Sequence, residues 1–398
     1  MRIVLNDHSG HAFTLELSRQ LAASGHEVLH AYSTSFQSPK GNFNISPSGN
    51  LTIFPITHKK AFAKYSLIKR RKQEIEYASR LVERLNTFKP QVILSGTTPL
   101  FVQEHLLRYC RRQGIKFVYW CQDIYTVAIR QIAQQKLGML GFPLWQYFQY
   151  LETKLLKAST HIVSITEDFN NIFSEWRINP GKVTCIPNWA PISEIYLSAK
   201  DNNWARQHNL VDKICIVYSG TLGLKHNPSI ISAAAEHFRD DDRIMFIVIS
   251  EGLGAQFLEK ERERLGLNNM LLLPFQDFSQ ISDVLGTADI LLAILEDDAG
   301  IYSVPSKVLT YLCACKPILL AMPQHNLSAR IVQQHKAGFC VLPGQVELLC
   351  KHIAQLVADH ELRKELGKNG RLYAEDHFNI RQIEEKFTKL FHTISIAE

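Results

Sequence analysis

The feature that most constrains this chain is a regular exchange between short apolar runs and amphipathic stretches, sustained over nearly all of its 398 residues. Ile3–Leu5, Val28–Tyr32, Leu51–Pro55 and Val92–Leu94 are too short for helices and almost free of charge, so they read as strands covered on both faces. Between them, His11–Ser24, a long stretch from about Lys64 to Phe88, and the segments 99–113 and 143–157 place apolar residues at helical spacing. Gly25 and Pro90 punctuate them. Strands at 115–120 and 161–165 continue the pattern. Repeated strand–helix units of this kind imply a parallel sheet with helices on both faces.

The rhythm breaks between Asn179 and Arg206, a segment holding Pro180, Pro187 and Pro191 that reads as a connection between domains. It restarts at Ile214, with strands predicted at 214–218, 244–250, 270–273, 289–294, 317–321 and 339–342. Helices fall at 228–238, 255–265, 279–286, 305–314, 326–336 and 345–358. The tail, Ile380–Thr393, is a further amphipathic helix. Two domains also suit a length too great for one core. Ligands in such sheets bind beyond the carboxyl ends of the strands, which makes the cleft between the domains the expected site.

Composition narrows the function. Hydrophobic content of 46% and charged content of 21% describe an ordinary globular protein. The net charge of +6 permits an anionic ligand or a membrane surface without demanding nucleic acid. The eight cysteines are scattered, and only Cys313 and Cys315 are close, which is not a zinc pattern. Reduced thiols are expected. The N-terminal residues read as a strand rather than a signal peptide, and no stretch approaches the ~18 apolar residues of a membrane span.

The chemistry concentrates in Tyr218-Ser-Gly-Thr-Leu-Gly-Leu-Lys-His-Asn-Pro228. A strand delivers a glycine-bearing turn with one lysine to the start of a helix. Main-chain N–H groups, the helix dipole and a compact positive charge suit a diphosphate. A plain strand–turn–helix with a surface lysine is the competing reading. Asn6 to His11 is a polar loop after the first strand. From His58 to Lys72 the chain carries seven lysines and arginines and no acid, with Phe62, Tyr65, Leu67 and Ile68 interleaved. Met139–Tyr150 adds Phe142, Trp145, Tyr147, Phe148 and Tyr150. Such basic, aromatic segments can lie on anionic lipid, or form an ordinary solvated face over a core stripe. No nucleic-acid motif accompanies them.

In their order, these landmarks resemble the retaining glycosyltransferases of family 4, especially bacterial enzymes that build exopolysaccharide or O-antigen units, of the colanic-acid type. The resemblance rests on SRQLAASGHEV (18–28), IPNWAP (186–191), YSGTLGLKHNP (218–228), VISEGLGAQFLEKERERLGLNNMLLLPF (248–275) and VPSKVLTYLCACKPILLA (304–321), and covers nearly the whole chain. It implies the α/β GT-B class: two Rossmann-like domains facing a central cleft. The acceptor-binding domain would span 1–195 and the donor domain 196–378, with a helix at 379–398 crossing back to the N-terminal domain.

The resemblance also implies roles. Lys225 would contact the donor diphosphate and stabilise charge on the leaving group. Gly220 and Gly223 would let main chain approach the phosphates. The family often has an arginine where Thr221 stands, so either another basic residue substitutes or donor binding is weaker. Ser303, Pro305, Ser306, Lys307 and Thr310 would complete the donor subsite, with Ser303 as helix cap and Pro305 in the first helical turn. The family's paired glutamates fall at Tyr302 and Thr310, and Glu296, Asp297 and Asp298 could take over part of their role. Glu251 and Phe275 lie beside the nucleotide base. His8, Gly10, His11 and Asp123 would form the acceptor side, with Asp123 and His11 joining Lys225 as catalytic candidates.

No cofactor or metal is expected beyond a UDP- or GDP-linked sugar. The expected partners are that donor, a saccharide or polyprenyl-diphosphate-linked acceptor and an anionic membrane surface. The expected location is cytoplasmic, with peripheral attachment at the inner face of the plasma membrane as a further expectation. The function implied is hexosyl transfer with retention in exopolysaccharide or lipopolysaccharide biosynthesis. A non-catalytic subunit of a polysaccharide assembly, and another enzyme of the same fold such as an epimerase, are the alternatives.

Overall fold

The structure is a computed structural model that describes residues 1–396 apart from 37, 39, 44–48, 59–66, 128, 131–137, 224–225 and 301–302. The chain divides into two compact units, Met1–Asn188 with Ile380–Glu398, and Trp189–Asn379.

The first unit is built on a seven-stranded parallel sheet. Its strands are β1 (Arg2–Asp7), β2 (Glu27–Ser33), β3 (Leu51–Ile56), β4 (Val92–Gly96), β5 (Lys116–Cys121), β6 (His161–Ser164) and β7 (Val183–Cys185). Their spatial order is β3-β2-β1-β4-β5-β6-β7. The order reverses between β1 and β4, a point where loops at the carboxyl ends diverge and leave room for a ligand. The apolar runs behave as their lack of alternation predicts: Ile3, Val4, Leu5, Val92, Ile93 and Leu94 are all fully buried.

The helix Ile380–Ile396 belongs to this first unit. Its stripe Ile383, Phe387, Leu390, Phe391 and Ile394 is buried, and Phe387 meets Trp120 of β5 edge-on at 5.2 Å between ring centroids.

The second unit carries a six-stranded parallel sheet of β8 (Ile214–Ser219), β9 (Ile244–Ile249), β10 (Met270–Leu273), β11 (Ile290–Ile294), β12 (Ile318–Ala321) and β13 (Gly338–Val341). The order is β10-β9-β8-β11-β12-β13, with the same reversal, here between β8 and β11. Both units are therefore Rossmann-like.

Several details differ from expectation. The segment 179–206 is not one connection. Val183–Cys185 adds a strand to the first sheet, whereas the helix Asn203–Gln207 buries Trp204 in the second unit. The helices Phe169–Glu175 and His360–His377 add to the elements that the sequence pattern predicts. β1 runs on through Asp7, so Asn6 and Asp7 are buried strand residues rather than loop.

Candidate functional site

In the second unit, the turn after β8 is shaped by glycine. Gly220 has φ +138°, in the region that favours glycine. Its N–H donates to the Ile249 carbonyl at 3.0 Å, holding the turn beside the end of β9. Leu222 N–H donates to Ser250 Oγ at 3.0 Å. Gly254, in the first turn of the helix Leu253–Leu265, packs so tightly on Leu222 that a Cβ there would lie 2.5 Å from the Leu222 Cβ. Gly223 N–H donates to His226 Nδ1 at 3.0 Å.

The helix Ser306–Leu312 reaches this turn from the other side. Lys307 Nζ sits 3.8 Å from the centre of the Tyr218 ring and donates to the Tyr218 hydroxyl. That hydroxyl donates to the Thr221 carbonyl at 3.0 Å. Tyr311, one turn on, accepts from Ser219 N–H at 2.8 Å. Of the donor-side candidates, Gly220, Thr221 and Lys307 are thus brought together.

Pro305 occupies the N-cap position, so the helix begins one residue later than expected and Ser303 lies outside the cap, correcting that assignment. Ser303 is buried, and its carbonyl accepts from Asn326 Nδ2 at 2.8 Å. Ser306 is exposed and Thr310 half-buried on the same short helix. Glu251 Oε1 accepts from Phe275 N–H at 3.2 Å, which ties the ends of β9 and β10 together. Glu296 follows β11. Partial burial raises its pKa, helped by repulsion from Asp298 and Asp297 and opposed by a hydrogen bond with Asn227. Lys225 and Tyr302 lie outside the described residues.

In the first unit, a buried carboxylate organises the loop after β1. Asp7 accepts from Ser9 N–H at 3.0 Å, His11 N–H at 2.6 Å and Thr14 Oγ1 at 2.7 Å, and from the Thr97 hydroxyl. The His11 ring nitrogen Nδ1 stands 3.2 Å from Asp7 Oδ2. Burial alone would push the Asp7 carboxyl up. The His11 charge and the hydrogen bonds from His11, Thr97 and Thr14 outweigh it and hold the group below the usual carboxylate range. Gly10 takes φ +76°, and a Cβ there would crowd Tyr32 at 3.1 Å.

His11 is a quarter exposed. His8 is buried, edge-on to Tyr77 at 4.7 Å and to Phe36 at 5.3 Å between ring centroids. Burial drives its pKa down to about 3, so it is neutral near pH 7. His8 therefore lies inside the domain, where the sequence reading had it facing a ligand. Lys40 donates to the Ser9 and Phe36 carbonyls at 3.1 and 2.8 Å. Burial lowers its pKa to about 8.

Asp123 follows β5 and is half-buried. Beside it, Glu152 is wholly buried and accepts from Tyr125 N–H at 3.0 Å, Thr126 N–H at 2.7 Å and the Thr126 hydroxyl. Burial raises its pKa to about 7; the hydrogen bonds oppose this, and the Asp123 charge adds to it. The sequence reading assigned no role to Asp7, Lys40, Glu152, Tyr218 or Tyr311. Asp7 had a signal, as the acid between the first strand and the glycine of its loop, and Tyr218 and Tyr311 stand within segments that carry the resemblance.

Residues 11–194 match the family model for Glycosyltransferase Family 4, and residues 200–373 match that for Glycosyl transferases group 1. The chain belongs to these glycosyltransferases. Among curated proteins it is similar to WcaI of Escherichia coli (strain K12), named for colanic acid biosynthesis, with 26% identity over 67% of this chain and 66% of the relative. That is just under two thirds of the relative's length. WbjE of Pseudomonas aeruginosa, named as a glycosyltransferase, is 24% identical over 67% of this chain and 66% of its own. Among solved structures, Anabaena HepE in complex with UDP-glucose superposes with a TM-score of 0.74 at 14% identity, over 99% of this chain and all of the other. At that identity the likeness speaks for the fold, and the two Rossmann-like units are those of the GT-B class.

Proposed function

We propose that this glycosyltransferase moves a hexosyl group from a UDP- or GDP-linked donor to a saccharide acceptor carried on a polyprenyl diphosphate, with retention and without a protein-held metal. The reaction would belong to surface polysaccharide assembly, the setting named for the WcaI relative. The observation that carries the reading is the glycine turn after β8, with Lys307 laid against Gly220. It sets a glycine turn, braced by its own hydrogen bonds, and a cation at the carboxyl end of a parallel strand, where a diphosphate is best received. That the Anabaena neighbour was solved with UDP-glucose supports the donor class.

In this reading the bond from the sugar to the diphosphate breaks, the acceptor oxygen bonds to the same carbon, and the acceptor proton passes to the departing diphosphate. Lys225 and Lys307 stabilise that leaving group. His11 and Asp123 orient the acceptor, and Asp7 sets the loop that carries His11. Ile68, Phe142, Tyr147 and Tyr150 are exposed, and Arg130 stacks on Trp145 at 4.9 Å. These residues support peripheral docking of the first domain on anionic lipid at the cytoplasmic face.

The test is calorimetric titration of the full chain with UDP, GDP and their sugar conjugates, followed by a transfer assay, on the wild type and Lys225→Ala. Selective binding of one nucleotide, weakened in the variant together with transfer, is expected. Folded protein that binds none of them would instead support a non-catalytic assembly subunit.

A further inference from the structure

We propose that Lys307 supplies the diphosphate-holding cation that Thr221 does not carry, and that Tyr218 is the residue that positions it. The inference rests on the second domain being the nucleotide-sugar site. Lys307 leaves the helix Ser306–Leu312 and ends at the turn after β8, not in solvent. Its ammonium is fixed twice by one buried side chain: the Tyr218 ring lies 3.8 Å below it, and the Tyr218 hydroxyl accepts from it. The same hydroxyl donates to the Thr221 carbonyl at 3.0 Å. One tyrosine therefore sets the lysine and the turn in register.

Gly220 marks where the lysine ends. A Cβ at Gly220 would stand 2.8 Å from Lys307 Cε and 3.2 Å from Nζ. The flexible end of the lysine could give way to a Cβ, so it is the positive φ that calls for glycine here. The N–H groups of Gly220, Leu222 and Gly223 are spent on Ile249, Ser250 and His226 and brace the turn, so a diphosphate seated against it meets the Lys307 charge, in a position fixed before the ligand arrives. A compact ammonium fits this gap, and its charge strengthens hydrogen bonds to phosphate oxygens. A lysine from the neighbouring helix thus does the work of a cation on the turn itself.

The test separates charge on the second phosphate from contacts to base, ribose and first phosphate. The full chain is titrated with UMP, UDP, GMP and GDP. The wild type is expected to bind one diphosphate more tightly than its monophosphate. Lys307→Met is expected to lose roughly tenfold or more on the diphosphate, as for a hydrogen bond to a charged group, with monophosphate binding nearly unchanged. Tyr218→Phe keeps the ring and removes the hydroxyl. It is expected to lose several-fold on the diphosphate alone, and it keeps the test open if Lys307→Met does not fold.

A diphosphate advantage that survives in Lys307→Met overturns the proposal. So does an equal loss on both nucleotides in Tyr218→Phe, which would make the tyrosine merely structural. Wild-type protein that binds no nucleotide overturns this proposal together with the proposed function.

Discussion

Asp7 is the residue on which the first domain's candidate site turns. A wholly buried carboxylate is costly unless its lone pairs are occupied. Here two main-chain N–H groups and two hydroxyls point at it, with the His11 ring alongside. Asp7→Asn removes the charge and sets amide hydrogens against those donors, so it should cost about 2–4 kcal/mol at pH 7. The pH dependence follows from the direction of the shift. The folded pKa is depressed, so the stabilisation is fully present above the ordinary value near ~4 and is lost as pH falls below it. Urea unfolding at a series of pH values should show the gap between wild type and variant widest at pH 7 and closing below pH ~4. A gap constant with pH would mean that the charge contributes nothing. The sequence placed His11 and Gly10 near a ligand-facing turn but had Asp7 in loop, because a strand end and a loop start look alike when both are polar.

At the scale of elements, Glu152 joins two that are far apart in sequence. It stands on the helix Phe142–Ala158 and caps the start of the helical stretch at Tyr125, across a separation of 26 residues from Thr126. Its folded pKa is raised to about 7 by burial. The stability it contributes is therefore fully present below the unfolded value near ~4 and is lost as pH rises through about 7. Chemical denaturation should show the wild type losing stability between pH 5 and 8, on the order of 2–3 kcal/mol relative to Glu152→Gln, whose side chain does not ionise. Parallel curves for the two proteins would sink this account.

The same scale shows what was legible. Buried parallel strands are continuous apolar runs, so β1, β2, β4 and β8 to β12 stand out in the sequence. The helix His360–His377 did not, because it is largely polar. Its hidden face is Leu366, Gly367, Gly370 and Ala374, and Gly367 packs so closely that a Cβ would meet the Cys315 carbonyl at 2.3 Å. Helices that dock through glycine leave no apolar stripe to find. Nor does spacing reveal a pair such as Glu152 with Thr126, or Lys307 with Tyr218. Those pairings exist only once the sheet order has brought their elements together.

For the whole molecule, the chain's last helix completes the unit that its first strand began. The helix Ile380–Ile396 lies against the helix Ala12–Ala23, and its Phe387, fully buried, meets Trp120 of β5. The core of residues 1–188 is therefore not finished without residues 380–396, whereas residues 189–379 hold a sheet and core of their own. Phe387→Ala should cost about 3–5 kcal/mol, the usual loss for emptying a buried phenyl site, and the cost should fall on one unit. Amide hydrogen exchange on the full-length variant is expected to show protection lost across β1 to β7 and retained across β8 to β13. Deletion of residues 380–398 should give the same pattern in stronger form. An even loss across both sheets would show that the two units unfold as one cooperative block, and a loss confined to β8 to β13 would place the helix with the other unit. The expected pattern would mean that removing the tail disables the first domain while leaving the Gly220–Lys307 turn folded, so under the proposed function nucleotide binding should outlast sugar transfer.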